Sequence, residues 1–197
     1  MTRIILASAS AARIALLKNA GLDFEARAAA IDERAIEAPL AESRIAAAGI
    51  ALALAEAKAL VVAASQPDAL VIGADQVLVA GAERWDKPAS LAEARAQLLA
   101  LAGRSHTLHS AVVVVHGAAV LWRHEDAAHM TMRAFTPDFL EAYLAGVGDL
   151  ALKSVGAYQL EGPGIQLFDR IEGDYFTILG LPLLPLLKFL RSEGAIA

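Results

Sequence analysis

The stretch Leu70–Gly81, LVIGADQVLVAG, constrains the fold more than any other part of this chain. Apolar residues run up to a single carboxylate, Asp75, and resume beyond it. A strand with one face in water alternates polar and apolar residues, whereas a buried strand reads as a continuous apolar run. This segment is of the second kind. A carboxylate placed there costs several kcal/mol unless something pairs with it. Asp75 therefore has a structural partner, or it sits at a strand end facing a pocket where its charge is used.

Around this strand, helix and strand signals alternate. RIILA (Arg3–Ala7) reads as a short buried strand, SAS turns into a helix over Ala11–Ala20, and Gly21 takes the position just past its end. LDFEARAA suggests a second strand before an acidic loop, IDERAIEAP, and a long alanine-rich helix is expected from about Leu40 to Ala64. QVLVAGAERWDKP reads as a hairpin turning at Ala80–Gly81, and Ser90 with Glu93 forms a capping box for a helix ending before Gly103. Two longer strands follow, SHTLHSAVVVVHG and AVLWRHEDAAHMTMR. Thr136 and Pro137 then start a helix to about Ala145, while Pro182 and Pro185 start a last one that stops at Gly194. Early alternation with a late hairpin region predicts an α/β fold, with a mixed twisted sheet flanked by helices rather than a purely doubly wound one.

At 197 residues the chain is expected to form one domain, or one domain with a large sub-lobe. Its apolar fraction is 57 % and its mean hydropathy +0.49, but much of the excess is alanine, so the composition reads as compact and helix-rich rather than membrane-bound. The longest run free of Asp, Glu, Lys and Arg, Ser105–Trp122, carries His106, His109 and His116 and reads as sheet, not as a membrane span. ASA near the N-terminus mimics a cleavage site, yet Arg13 and Lys18 follow a very short apolar segment, so it reads as mature structure. Without cysteine there is no disulfide framework and no Cys-based zinc site, and a cytoplasmic location is expected. A net charge of −5 and no basic tract argue against long nucleic acid as a partner. A small anion remains compatible, because a few local cations outweigh a mildly acidic whole.

No P-loop, Gly-x-Gly-x-x-Gly or Gly-x-Ser-x-Gly pattern occurs. His106 and His109, three apart on a strand, point to opposite faces and read as surface or sheet-edge residues rather than metal ligands. The first positive element is LASASAAR. A strand stops, two serines flank a small residue and a helix begins, so the unpaired N–H groups of the helix start can hold a phosphate. Ser8 and Ser10 add hydroxyls, and Arg13 adds a guanidinium able to fork onto phosphate oxygens. A plain Ser N-cap with a solvent-facing Arg fits the same letters. The second element is a set of opposite charges, Glu33, Lys58, Asp75 and Lys87. Two carboxylates to hold a metal and an attacking water, with two ammonium groups against phosphate oxygens, suit a magnesium–polyphosphate site. Spacing alone does not bring the four together. The third element is the Gly-rich segment Lys153–Leu183, where Glu161 is a second candidate pocket acid and a Gly-punctuated hairpin is the other reading.

In their order and spacing, LASAS…R, the DE at Asp32–Glu33, EAKA around Lys58, GADQV at Gly73–Val77, DKP at Asp86–Pro88, GAYQLEG and GLPL resemble the Maf family of nucleoside triphosphate pyrophosphatases nearly end to end. The resemblance implies a Maf/ITPase-like fold: one domain over residues 1–197, with two lobes around a central cleft, in a family that often forms homodimers. It implies hydrolysis of the α–β bond of a nucleoside triphosphate to monophosphate and pyrophosphate, with Mg²⁺ or Mn²⁺. Carried over by position, Asp75, Glu33, Lys58 and Lys87 form the catalytic set. Asp75 is the proton acceptor, and Glu33 joins it in binding metal or water. Arg13, Lys58 and Lys87 grip the triphosphate, with Ser8 and Ser10 at its loop.

Substrate choice in the family follows three positions, here Ala12, Gln76 and Glu161. Gln76 and Glu161 match the branch resembling 7-methyl-GTP pyrophosphatases, which carries Trp, Gln and Glu, rather than the dTTP/UTP branch with Arg, Thr and Gln. A carboxylate at Glu161 would accept from guanine N1–H and N2–H₂. Ala12 departs from both branches, since a methyl group cannot stack on a cationic methylated base as an aromatic ring would. The usual Pro and second Arg of the opening motif are replaced by Ala11 and Ile14. The expected function is a nucleoside triphosphate pyrophosphatase preferring 7-methyl-GTP. The alternatives are a dTTP/UTP pyrophosphatase, or a nucleotide-binding regulator of septum formation without turnover.

Overall fold

The computed structural model describes residues 2–197. Its elements run β1 (Ile4–Leu6), α1 (Ala11–Asn19), β2 (Glu25–Ala26), α2 (Glu33–Glu42), α3 (Ala47–Ala63), β3 (Leu70–Ala80), β4 (Glu83–Trp85), α4 (Leu91–Leu101), β5 (Ser105–His116), β6 (Ala119–Met132), α5 (Pro137–Val147), β7 (Phe168–Glu172), α6 (Tyr175–Ile178) and α7 (Leu183–Ser192). The strands hydrogen-bond in the order β2-β1-β3-β5-β6-β7, with β4 beside β3. β1 is parallel to β2 and β3, whereas β4 is antiparallel to β3 and β7 to β6. The sheet is mixed and carries helices, as the α/β expectation requires. Among the described residues no helix is long and apolar enough to cross a membrane.

The chain divides into two compact units. The first runs through Gln76 and takes in His109–Asp126 and Tyr175–Ala197; the second comprises Val77–Leu108 and Ala127–Asp174. In the first unit, alternate residues of β3 face different partners, as the period of two demands. Leu70, Ile72 and Ala74 join Leu6 of β1, Leu17 of α1 and Leu183, Leu186 and Leu190 of α7 in one buried core. Gly73, between them, lies against α3, where a Cβ would stand 2.0 Å from the Ala55 carbonyl oxygen and 2.9 Å from Ala59 Cβ. Ala51, Ala55, Ala59 and Ala63 of α3 are fully buried, so the alanine-rich face allows strand and helix backbones to approach closely.

Three expectations are corrected here. IDERAIEAP is helix rather than loop: Asp32 Oδ1 accepts the Ala35 N–H at 3.1 Å and so caps α2, which carries Pro39 inside it. The long helix expected over 40–64 is two helices. Arg44 takes a left-handed φ of 54° and the Ile45 N–H reaches back to the Leu40 carbonyl at 3.0 Å, ending α2 before α3 begins. Finally, β3 continues through Asp75, which lies in mid-strand and not at a strand end.

In the second unit the capping signals hold. Ser90 accepts the Glu93 N–H at 3.2 Å, Glu93 accepts the Ala89 N–H at 2.8 Å, and Thr136 accepts the Phe139 N–H at 3.2 Å. His106 differs from its expected surface position. It is 3 % exposed, its Nε2 lies 2.7 Å from the Tyr158 hydroxyl, and its ring packs on Tyr158 and Phe168. Burial disfavours the imidazolium and pushes its pKa down to about 4. The unfolded chain therefore holds a proton here that the folded chain does not, between about pH 4 and the unfolded value near 6.5. Stability is fully present above that window and falls as the pH drops through it, by about 3 kcal/mol for this one group. Urea midpoints of wild type and His106→Gln measured from pH 7 to pH 4 are expected to converge as the pH falls. Parallel curves would contradict the assignment.

Candidate functional site

The chain leaves β1 and turns at once, because the Ala7 N–H still pairs with the Ile72 carbonyl at 2.7 Å while Ser8 already starts the corner. Ser10 is the N-cap of α1, its hydroxyl oxygen 3.5 Å from the Arg13 N–H donor. Ser8 Oγ accepts from the Ser10 N–H at 3.2 Å and from Arg13 Nη1 at 3.4 Å. The corner predicted from LASAS is therefore present. Its arginine is neither solvent-facing nor a free fork. Arg13 Nε donates to the Gly180 carbonyl at 2.7 Å and Nη1 to the Ala74 carbonyl at 2.8 Å. Nη2 is the arm with no hydrogen-bond partner among the described residues. Burial holds the guanidinium pKa below its ordinary value, and the charges of Asp75 and then Glu33 offset only part of that.

On the α3 side of β3, Lys58 supplies the partner that the lone acid of LVIGADQVLVAG demands. Asp75 is 7 % exposed and bonds Lys58 Nζ through Oδ1, while Lys58 Nζ also meets Glu33 Oε1 at 2.6 Å. Gly73, two residues earlier on the same face, meets α3 at Ala55 and Ala59, either side of Lys58. The absent side chain at 73 thus sets the approach that lets the lysine reach the strand. Glu33, in the first turn of α2, is the half-exposed member of the trio. Two carboxylates converging on one ammonium form an oxygen-only donor pair. That pair fits Mg²⁺ or Mn²⁺, hard cations held by one or two carboxylates with water and phosphate oxygens filling the other positions. Among the described residues, no group of three or more His, Cys, Asp or Glu side chains gathers at one point.

Gln76 faces the opposite way from Asp75. Its Nε2 lies 2.9 Å from Ser110 Oγ, 3.2 Å from the Thr177 carbonyl and 2.9 Å from the Ile178 carbonyl. Ser8, Ser10, Arg13, Glu33, Lys58, Asp75 and Gln76 thus all belong to the first unit, as does Ala12, half-buried in the first turn of α1. Lys87, exposed in the loop between β4 and α4, and Glu161, exposed in the turn after Leu160, belong to the second. The partners missed from sequence are the Ala74 and Gly180 carbonyls and the Ser110 and Thr177 contacts of Gln76. Backbone carbonyls have no letter of their own. The one available signal was the glycine of GLPL, which turns the chain at φ 88° to aim its carbonyl at Arg13.

An α/β chain that holds a guanidinium and hydroxyls at a strand–helix corner, beside carboxylates tied to a lysine, can take an anion and a hard cation together. Comparison with known proteins places it further. Residues 3–193 match the model of the Maf-like protein family, and the chain belongs to that family. It is 60 % identical to a 7-methyl-GTP pyrophosphatase of Rhizobium meliloti over 98 % of this chain and 97 % of that one. It is 59 % identical to a 7-methyl-GTP pyrophosphatase of Mesorhizobium japonicum, covering 98 % of each. A nucleoside triphosphate pyrophosphatase of Granulibacter bethesdensis is 50 % identical over 98 % of both chains.

Proposed function

We propose that this protein hydrolyses the α–β bond of a nucleoside triphosphate, releasing monophosphate and pyrophosphate, with 7-methyl-GTP as its preferred substrate. The observation that carries the reading is the Asp75–Lys58–Glu33 trio next to the Arg13 corner, which puts a buried carboxylate base beside cations suited to phosphate oxygens. The names of the relatives support the reaction, and those of the nearer ones support the base.

In this reading Asp75 takes the proton of the water that attacks the α-phosphorus. Lys58 fixes the direction of that carboxylate through its bond to Oδ1. Arg13 offers Nη2 to a phosphate oxygen while its other arms are held by the protein, and the first N–H groups of α1 add partial positive charge at the same corner. A divalent cation held by Asp75 and Glu33 would neutralise charge on the phosphate oxygens. Lys87 as a triphosphate contact and Glu161 as the acceptor for the guanine edge rest on the family resemblance.

Glu161→Gln removes one of the two acceptors for N1–H and N2–H₂. The expected result is a fall of about 10-fold in kcat/KM for 7-methyl-GTP relative to UTP. An unchanged ratio would remove Glu161 from base choice. The function itself is tested by pyrophosphate release with Mg²⁺ or Mn²⁺ across 7-methyl-GTP, GTP, dTTP, UTP, CTP and ATP. Fastest release from 7-methyl-GTP is expected. Fastest release from dTTP or UTP would reassign the base, and silence with triphosphate still bound would favour the regulator of septum formation.

A further inference from the structure

Gln76 is adjacent to Asp75, yet its amide points into the protein. Ser110 donates its single proton to the Thr177 carbonyl at 2.7 Å, so Ser110 Oγ can meet Gln76 only as an acceptor. The Thr177 and Ile178 carbonyls can likewise only accept. Three acceptors around one amide nitrogen fix its orientation, and they also fix the segment that carries two of them.

That segment leads to Arg13. The Thr177 carbonyl additionally accepts the Gly180 N–H at 3.0 Å, and the Thr177 hydroxyl bonds Asp126 Oδ2 at 3.1 Å. Thr177 is fully buried, so the turn is pinned by both its main chain and its side chain. Gly180 then takes φ 88° and presents its carbonyl to Arg13 Nε, and a Cβ on Gly180 would stand 3.2 Å from both Nε and Nη2. Arg13 is thus clamped from the two β3 residues that flank Asp75: directly by the Ala74 carbonyl, and through the 177–180 turn by the side chain of Gln76.

We propose that Gln76 is a positioning residue, which orients the Arg13 guanidinium toward phosphate by tying down the Thr177–Gly180 turn. The inference rests on the reading of the Arg13 corner as the triphosphate site. A planar cation whose Nε and Nη1 are fixed presents Nη2 in one direction, which is what a phosphate contact needs.

Inorganic tripolyphosphate is the discriminating probe, because it has no base. Its affinity is measured by titration calorimetry for wild type, Gln76→Met, Arg13→Lys and the double variant. Methionine is neutral and of similar length but donates no hydrogen bond. Gln76→Met is expected to weaken tripolyphosphate binding about 10-fold in the wild-type background and less than about 2-fold in the Arg13→Lys background, the non-additivity of residues acting through one another. Equal affinity of wild type and Gln76→Met for tripolyphosphate would overturn the proposal, as would full additivity with Arg13→Lys. If Gln76→Met does not fold, Ser110→Ala loosens the same clamp and is expected to weaken binding in the same Arg13-dependent way; unchanged binding there overturns the proposal equally. Absence of tripolyphosphate binding by wild type would instead refute the site reading on which the inference stands.

Discussion

Asp75→Asn is expected to lower the rate of pyrophosphate release by about 10³-fold while leaving triphosphate binding largely intact, the range seen when a positioned general base is removed. The substitution is nearly isosteric. Asparagine can still accept from Lys58 through Oδ1, and Lys58 keeps Glu33 at 2.6 Å, so the strand and helix stay where they are. What is lost is a group able to take a proton from water, and with it one of the two carboxylate charges toward a cation, while Arg13 and Lys58 still face the triphosphate. Rate and calorimetric affinity measured on the same preparation separate the two roles. A rate near that of wild type would show that Asp75 is held by Lys58 for structural reasons alone.

The second large effect is on stability. Gly73→Ala is expected to cost about 3 kcal/mol or more, because the added methyl would stand 2.0 Å from the Ala55 carbonyl oxygen and 2.8 Å from the Ala59 N, where only backbone can yield. For a domain of this size that corresponds to a fall in Tm of roughly 6–12 °C. Any relief requires α3 to withdraw from β3, which would carry Lys58 away from Asp75. Activity in the folded fraction is therefore expected to fall as well. A variant that melts within about 2 °C of wild type would mean that the two backbones are not as close as described.

These two positions also mark how much could be read from letters alone. The strand was legible because an apolar run of that length has few alternatives, and its single acid announced a partner. That the partner is Lys58 was not legible, since the pairing depends on α3 crossing β3 at Gly73, a long-range contact. The end of α2 was missed because Arg44, not glycine, takes the left-handed position there, so the usual stop signal was absent. The Asp32 cap of α2 was masked by an acidic sequence that also suits a loop. At the corner, Ser8, Ser10 and Arg13 were found from residue type and spacing. The hold on Arg13 has no signature in the letters because it comes from carbonyls of Ala74 and Gly180, far apart in sequence. The burial of His106 is not legible for a similar reason: Tyr158, which packs on it and bonds it, lies 52 residues away.

The role of Asp75 as the base of α–β hydrolysis is decided by the identity of the products from 7-methyl-GTP with Mg²⁺, resolved for wild type and Asp75→Asn side by side. Wild type is expected to give 7-methyl-GMP and pyrophosphate in equal amounts, with no orthophosphate at early times, and the variant neither product on the same timescale. Orthophosphate with 7-methyl-GDP, or equal product formation by the two proteins, would contradict that role.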